Sequence, residues 1–167
     1  MAYPQGREAT QYQPKGIMIK SIAWATDGSP SARRAFTVAK ELARAHESRL
    51  LILHAQETGI TRARLLADVN DHIPVSLERV VEQLRAEGID AELAVGEASD
   101  GAAHRTILDL AEEADVDLIV VGNRGHGPLA GLMLGSVALR LLQAARFPVL
   151  LVPSYRGTPT TGPRDGC

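Results

Sequence analysis

The residues best suited to chemistry lie in one glycine-rich run, Gly122-Asn123-Arg124-Gly125-His126-Gly127-Pro128, which continues through Leu134 to Gly135 and Ser136. A buried strand leads into this run and a helix leads out of it. Glycines at such a junction let the backbone approach a phosphate closely, and exposed N–H groups at a helix start complement negative charge. Ser136 suits the N-cap of that helix, and its hydroxyl could also bond a phosphate oxygen. Arg124 and His126 could add charge within the loop, although arginines on loops also serve as plain solvated surface. Taken alone, the same glycines would serve a long connection stiffened for packing. A second polar cluster, Thr26-Asp27-Gly28-Ser29-Pro30, ends the first apolar run. Asp27 there reads as a turn residue or as a ligand contact.

What the chain lacks narrows the chemistry. No lysine follows Lys40, so a Gly-x4-Gly-Lys phosphate loop is absent. No Ser-His-Asp set has an identifiable motif context, and His46, His72 and His104 show no metal-ligand spacing and are expected at the surface. His54 reads as a structural histidine at a strand end. Without the lysine or carboxylate apparatus of phosphoryl transfer, binding is the expected activity rather than turnover. The formal net charge of -2, with no basic block, argues against a nucleic-acid partner. The single cysteine, Cys167, excludes an internal disulfide and fits a reducing cytoplasm. No apolar run is long enough to cross a membrane, and residues 1–16 lack the apolar core of a signal peptide. A soluble protein is expected.

The elements that must position these residues follow from apolar periodicity. At 167 residues the length fits one domain. A buried strand is predicted over Ile17–Ala25. A helix capped by Ser29 and Pro30 then runs to about Ala45, with Ala32, Ala35, Phe36, Ala39, Leu42 and Ala43 on its inner face. Arg49–Ala55 is the second strand. Residues 58–87 read as helix broken near Ile73-Pro74, with Leu77, Val80, Val81 and Leu84 inward and Gly88 as C-terminal cap. Ile89–Val95 reads as a half-exposed edge strand and Gly96–Gly101 as loop. The next helix faces Ala103, Ile107, Leu110, Ala111 and Ala114 inward. Asp117–Val121 is the clearest buried strand. A last helix, Ser136–Ala145, turns Val137, Leu141 and Ala145 inward, and Pro148–Pro153 is the fifth strand. This alternation predicts a parallel sheet with helices on both faces, spanning 17–153 between disordered segments at 1–16 and 154–167. Ligands of such sheets bind at the carboxyl ends of the strands, where the strand order reverses.

The spacing Gly-x2-Gly-x9-Gly-Ser from Gly122 to Ser136, followed by Val137 and ending in Phe147-Pro148-Val149-Leu150-Leu151-Val152, resembles the nucleotide-binding signature of the universal stress protein family, in its ATP-binding subgroup. Ala25-Thr26-Asp27-Gly28-Ser29, Leu53-His54-Ala55 and Asp117–Gly122 extend the resemblance over Met18 to Pro153. It implies a single-domain α/β fold, Rossmann-like, with an open five-stranded parallel sheet of order 3-2-1-4-5. Asp27 would then contact the nucleoside, with Ala25 and Thr26 beside it, and Ala55 would meet the adenine edge through its backbone. Val121 would line the base pocket and Gly122 would sit against the ribose. Gly125, Gly135, Ser136 and Val137 would hold the phosphates, with Arg124, His126 and Gly127 in the same loop. Two departures stand out. The loop before the third helix lacks the family's common proline, and position 138 is alanine where a small hydroxyl residue is frequent.

The resemblance leaves three readings. An ATP-binding stress regulator comes first, with or without magnesium. A cyclic AMP or AMP binder and a slow ATPase are the alternatives. It also implies a homodimer formed through the last strand, Val149–Val152, whose bare apolar edge would otherwise invite aggregation. It names no downstream protein partner.

Overall fold

A computed structural model describes residues 18–57, 73–99, 101–124 and 134–153. The elements, in chain order, are β1 (Ser21–Ala25), α1 (Pro30–His46), β2 (Arg49–Glu57), α2 (Ile73–Ala86), β3 (Ala91–Ala98), α3 (Ala103–Glu113), β4 (Leu118–Gly122), α4 (Ser136–Ala144) and β5 (Val149–Val152). The strands form one sheet of order β3-β2-β1-β4-β5, and every pairing is parallel. The parallel sheet is what the alternation of elements predicts, and the strand order is the one that the family resemblance implies.

The central strands read as unbroken apolar runs because helices cover both of their faces. Ile22, Trp24, Leu50, Ile52, Leu118 and Val120 pack with the inner residues of α1 and α2. Their neighbours Ala23, Ala25, Leu51, Leu53, Ile119 and Val121 pack on the opposite face with Ile107, Ala111 and Leu141 of α3 and α4. Leu50, Leu51, Ile52 and Leu53 are each no more than 2% exposed, so truncating any of them to alanine should cost about 2–5 kcal/mol. The contact face of α1 is built from Ala32, Ala35, Ala39 and Ala43, which brings its backbone close to the sheet. Trp24 exploits that closeness: its indole N–H donates to the Ala32 carbonyl at 2.8 Å, and its ring lies 4.7 Å from that of Phe36.

Several expected boundaries shift for identifiable reasons. β1 begins at Ser21, with Met18 before it 75% exposed. α2 starts at Ile73, where the sequence predicts a break, and Pro74 sits in its first turn, where a missing N–H costs nothing. The first half of that expected helix, 58–72, lies outside the described residues. Gly88 caps α2 as predicted, at φ +81, with Ile89 N–H donating to Leu84 O at 3.0 Å. Strand β3 continues through Gly96 to Ala98, where the sequence suggests loop. A Cβ at Gly96 would lie 2.5 Å from Thr106 Cγ2, so this glycine admits α3 rather than ending the strand. Helix α4 is capped by Gly135, not Ser136, and turns Ala138 and Leu141 inward while Val137 is exposed. The flanking segments expected to be disordered lie outside the described residues.

Candidate functional site

With all strands parallel, the chain leaves β1 and β4 at the same edge of the sheet. α1 then folds over one face and α4 over the other. A crevice must open between those two exits, and this is the switch point of the fold.

On the β1 side the turn is held by its own polar atoms. Thr26 N–H donates to Leu53 O at 3.0 Å, and Thr26 Oγ1 accepts from Gly28 N–H at 3.1 Å. Asp27 Oδ1 accepts from Ser29 N–H at 3.0 Å, so Asp27 is the turn residue that one reading foresees, placed at the crevice that the other requires. Gly28 has φ +78, a conformation that favours glycine. Ser29 caps α1 by accepting from Ala32 N–H at 3.2 Å.

Beside this turn, β2 runs on past β1. Register pairs Ala25 with Leu53, so Ala55 lies beyond the last β1 residue, and its backbone edge on that side faces the crevice. His54 is 2% exposed, and its Nδ1 donates to the Thr26 carbonyl at 2.9 Å, as expected of a structural histidine. The other ring nitrogen, Nε2, is buried without a partner among the described residues. The side chains of Ala25, Ala55 and Val121 lie toward α3 and α4, where Val121 is 7% exposed within the core.

On the β4 side, a Cβ at Gly122 would lie 2.6 Å from Ser31 Oγ and 2.7–2.8 Å from the Ser31 backbone. The requirement for glycine here is thus the seating of α1 against β4. Asn123 N–H donates to Val152 O at 2.9 Å, and Asn123 O accepts from Gly135 N–H at 2.7 Å. The two ends of the glycine-rich loop are therefore bonded to each other. Arg124 N–H donates to Ser31 Oγ at 3.3 Å, while Arg124 Nε is buried without a partner among the described residues. A buried guanidinium N–H left without an acceptor is costly, and an anion is its natural complement. Helix α4 begins at Ser136 after the N-cap Gly135, which, unlike Ser29 of α1, supplies no side-chain acceptor to the first N–H groups of Ser136 and Val137. Gly125, His126 and Gly127 lie outside the described residues.

The structure thus gathers Ala25, Thr26, Asp27, Ala55, Gly122, Arg124, Gly135, Ser136 and Val137 around one edge of the sheet. Sequence reasoning missed Ser31, whose hydroxyl donates to Asn123 Oδ1 at 3.1 Å across 92 positions of chain. Its place in the first turn after Asp27-Gly28-Ser29 is the one signal that could have found it. His104, expected at the surface, is half-buried at the start of α3. Burial first, then Arg140 and Arg105, push its imidazole below the usual histidine range. Among the described residues, no group of three or more histidines, cysteines and acids could hold a metal ion, and no helix is long and apolar enough to cross a membrane.

Comparison with known proteins agrees with this geometry. The model of the universal stress protein family matches residues 18–153. A universal stress protein of Thermus aquaticus is 39% identical over 142 residues, covering 81% of this chain and 99% of the relative. Among solved structures, a universal stress protein in complex with cAMP superposes with a TM-score of 0.60 at 29% identity, over 81% of this chain and 97% of the other. The universal stress protein of Archaeoglobus fulgidus in complex with dAMP gives 0.57 at 25% identity, over 81% and 99%. With nearly the whole described region matched and the strand order shared, this chain belongs to the universal stress protein family.

Proposed function

We propose that this chain binds an adenine nucleotide in the crevice between the Asp27 turn and the β4–α4 loop, and that ATP is the form it takes. The observation that carries the reading is Arg124 Nε, buried and without a partner among the described residues, at the entrance to a loop that ends on a helix start with no side-chain cap. A phosphate there would supply the missing acceptor and complement the helix N-terminus. The base would lie against the open backbone edge of Ala55, with Asp27 toward the ribose. Magnesium would arrive with the phosphates and keep much of its water shell. The protein would act as a cytoplasmic stress-response regulator whose nucleotide state alters a partner contact, not as an enzyme.

The relatives solved with cAMP and dAMP favour a second reading, in which a single phosphate fills the site. Denaturing the freshly purified protein and identifying the released nucleotide by mass spectrometry separates the two. Retained ATP supports the first reading, whereas retained AMP or cyclic AMP supports the second. Steady turnover of ATP that survives rigorous purification and vanishes in Asp27→Ala would favour a slow ATPase instead.

A homodimer through β5 belongs to the same proposal. Val149–Val152 carries no charge and leaves Leu150 37% exposed, whereas the opposite edge strand, β3, shows solvent Glu92 and Glu97. Charged edges resist pairing and bare apolar ones invite it. Leu150→Lys should convert a dimer into a monomer by light scattering; a monomeric parent protein would contradict this assembly.

A further inference from the structure

Ser31 sits where the two halves of the crevice meet. Its hydroxyl donates to Asn123 Oδ1 at 3.1 Å and accepts from Arg124 N–H at 3.3 Å. Ser29, two residues earlier, donates to Arg124 O at 3.4 Å while capping α1. Both serines are buried, at 6% and 1% exposure. The close seating that Gly122 permits presses the first turn of α1 against the exit of β4, which leaves this hydroxyl little freedom. Asn123 in turn holds Gly135, the cap of α4, through its carbonyl at 2.7 Å. Hydrogen bonds from Ser29 and Ser31 at the start of α1 therefore hold Asn123 and Arg124, and Asn123 in turn holds the start of α4.

We propose that Ser31 is a positioning residue that couples the nucleoside half of the crevice to its phosphate half. It touches neither base nor phosphate. It fixes the entrance of the glycine-rich loop relative to α1, so that Arg124 and the α4 N-terminus stand at a set distance from Asp27. This inference rests on the nucleotide reading above. Its consequence is selective, because a nucleoside that reaches only Asp27 and Ala55 does not sense where the loop stands. A nucleotide must satisfy both halves at once, and loses affinity when their spacing is no longer held.

The test is calorimetric titration of ATP and of adenosine into the wild-type protein, Ser31→Ala, Asn123→Ala and the double variant. Ser48→Ala is the control: Ser48 is a buried serine whose hydroxyl donates to Ile19 O at the far end of the sheet, so its loss disturbs packing without touching the crevice. Each single variant should weaken ATP by about tenfold and adenosine by less than about twofold. The double variant should lose little more than Ser31→Ala alone, since both single changes remove the Ser31–Asn123 bond and Ser31→Ala also takes the acceptor of Arg124 N–H. Should Ser31→Ala fold poorly, Asn123→Ala breaks the link from its other side. An unchanged ratio of ATP to adenosine affinity in both variants, or fully additive losses, overturns the coupling while leaving nucleotide binding intact. A folded wild-type protein that binds neither compound overturns the nucleotide reading, and this inference with it.

Discussion

At the amino end of the sheet, the Asp117 carboxylate accepts from the backbone N–H groups of Lys20 and Ser21 at 2.7 and 3.0 Å. Arg49 donates to Ala114 O at 2.6 Å and to Ser21 Oγ at 3.3 Å, and Glu87 pairs with both Lys40 and Arg44. The depression at this end is rimmed by Arg44, Glu47, Glu87 and Asp90, of which Arg44 and Glu87 pair with each other. At the carboxyl end, Arg124 Nε and His54 Nε2 are buried without partners among the described residues, and α4 starts without a side-chain cap. Among the described residues, Asp117, Arg49 and Glu87 thus find partners at the amino end, whereas Arg124 Nε and His54 Nε2 find none at the carboxyl end. Unpaired buried polar atoms are costly, and the ligand proposed above would answer those at the carboxyl end.

The largest expected effect breaks the contrast by damaging the carboxyl end itself. Gly122→Val places side-chain atoms against the Ser31 backbone, which cannot yield without moving α1. Overpacking of this kind should cost about 1–3 kcal/mol or more, read as a fall in thermal midpoint and with it a loss of binding. Such a variant reports on the fold as much as on the ribose site. Arg124→Gln sharpens the contrast. It should weaken ATP by about 10- to 100-fold in calorimetry, yet leave the unliganded thermal midpoint unchanged or slightly raised, because an unanswered buried donor is removed.

How much of this was legible in the sequence depends on the range of the interaction. β4 was plain, because a strand covered on both faces becomes a continuous apolar run from Leu118 to Val121. The Gly88 cap and the Ser29 cap were equally plain, since each acts within a few residues. The phase of α4 was not: Val137 and Ala138 are adjacent and both apolar, and only packing with α3 decides which turns inward. The sequence also gives no sign that a side chain at Gly122 would strike Ser31, because that contact is made only when α1 packs on β4. The Ser31–Asn123 bond joins residues 92 positions apart, and no local pattern encodes it.

Smaller effects belong to the amino end and to titration. Hydrogen bonding from Lys40, opposed by desolvation and reinforced by Gln83 and the nearby Lys40 and Arg44 charges, holds Glu87 below the usual carboxylate range. The stability this provides is present above the unfolded carboxylate range and is lost as pH falls through the lower folded value. Glu87→Gln should therefore lower the thermal midpoint slightly at pH 7, lose that effect in acid, and leave ATP affinity unchanged. His104 has the same sign of dependence by another route. Its folded imidazole is harder to protonate than that of the unfolded chain, so stability should decline as pH drops below about 6.5, until the folded-state group is protonated too. His104→Gln should flatten that part of the curve of midpoint against pH.

The most direct test of the central claim is titration of ATP into nucleotide-stripped protein, run side by side with Arg124→Gln. Saturable binding near one ATP per chain, weakened in the variant while its fold is retained, is the predicted result. Equal affinity in both proteins, or no binding to a folded parent chain, would contradict a nucleotide site at the carboxyl end of the sheet.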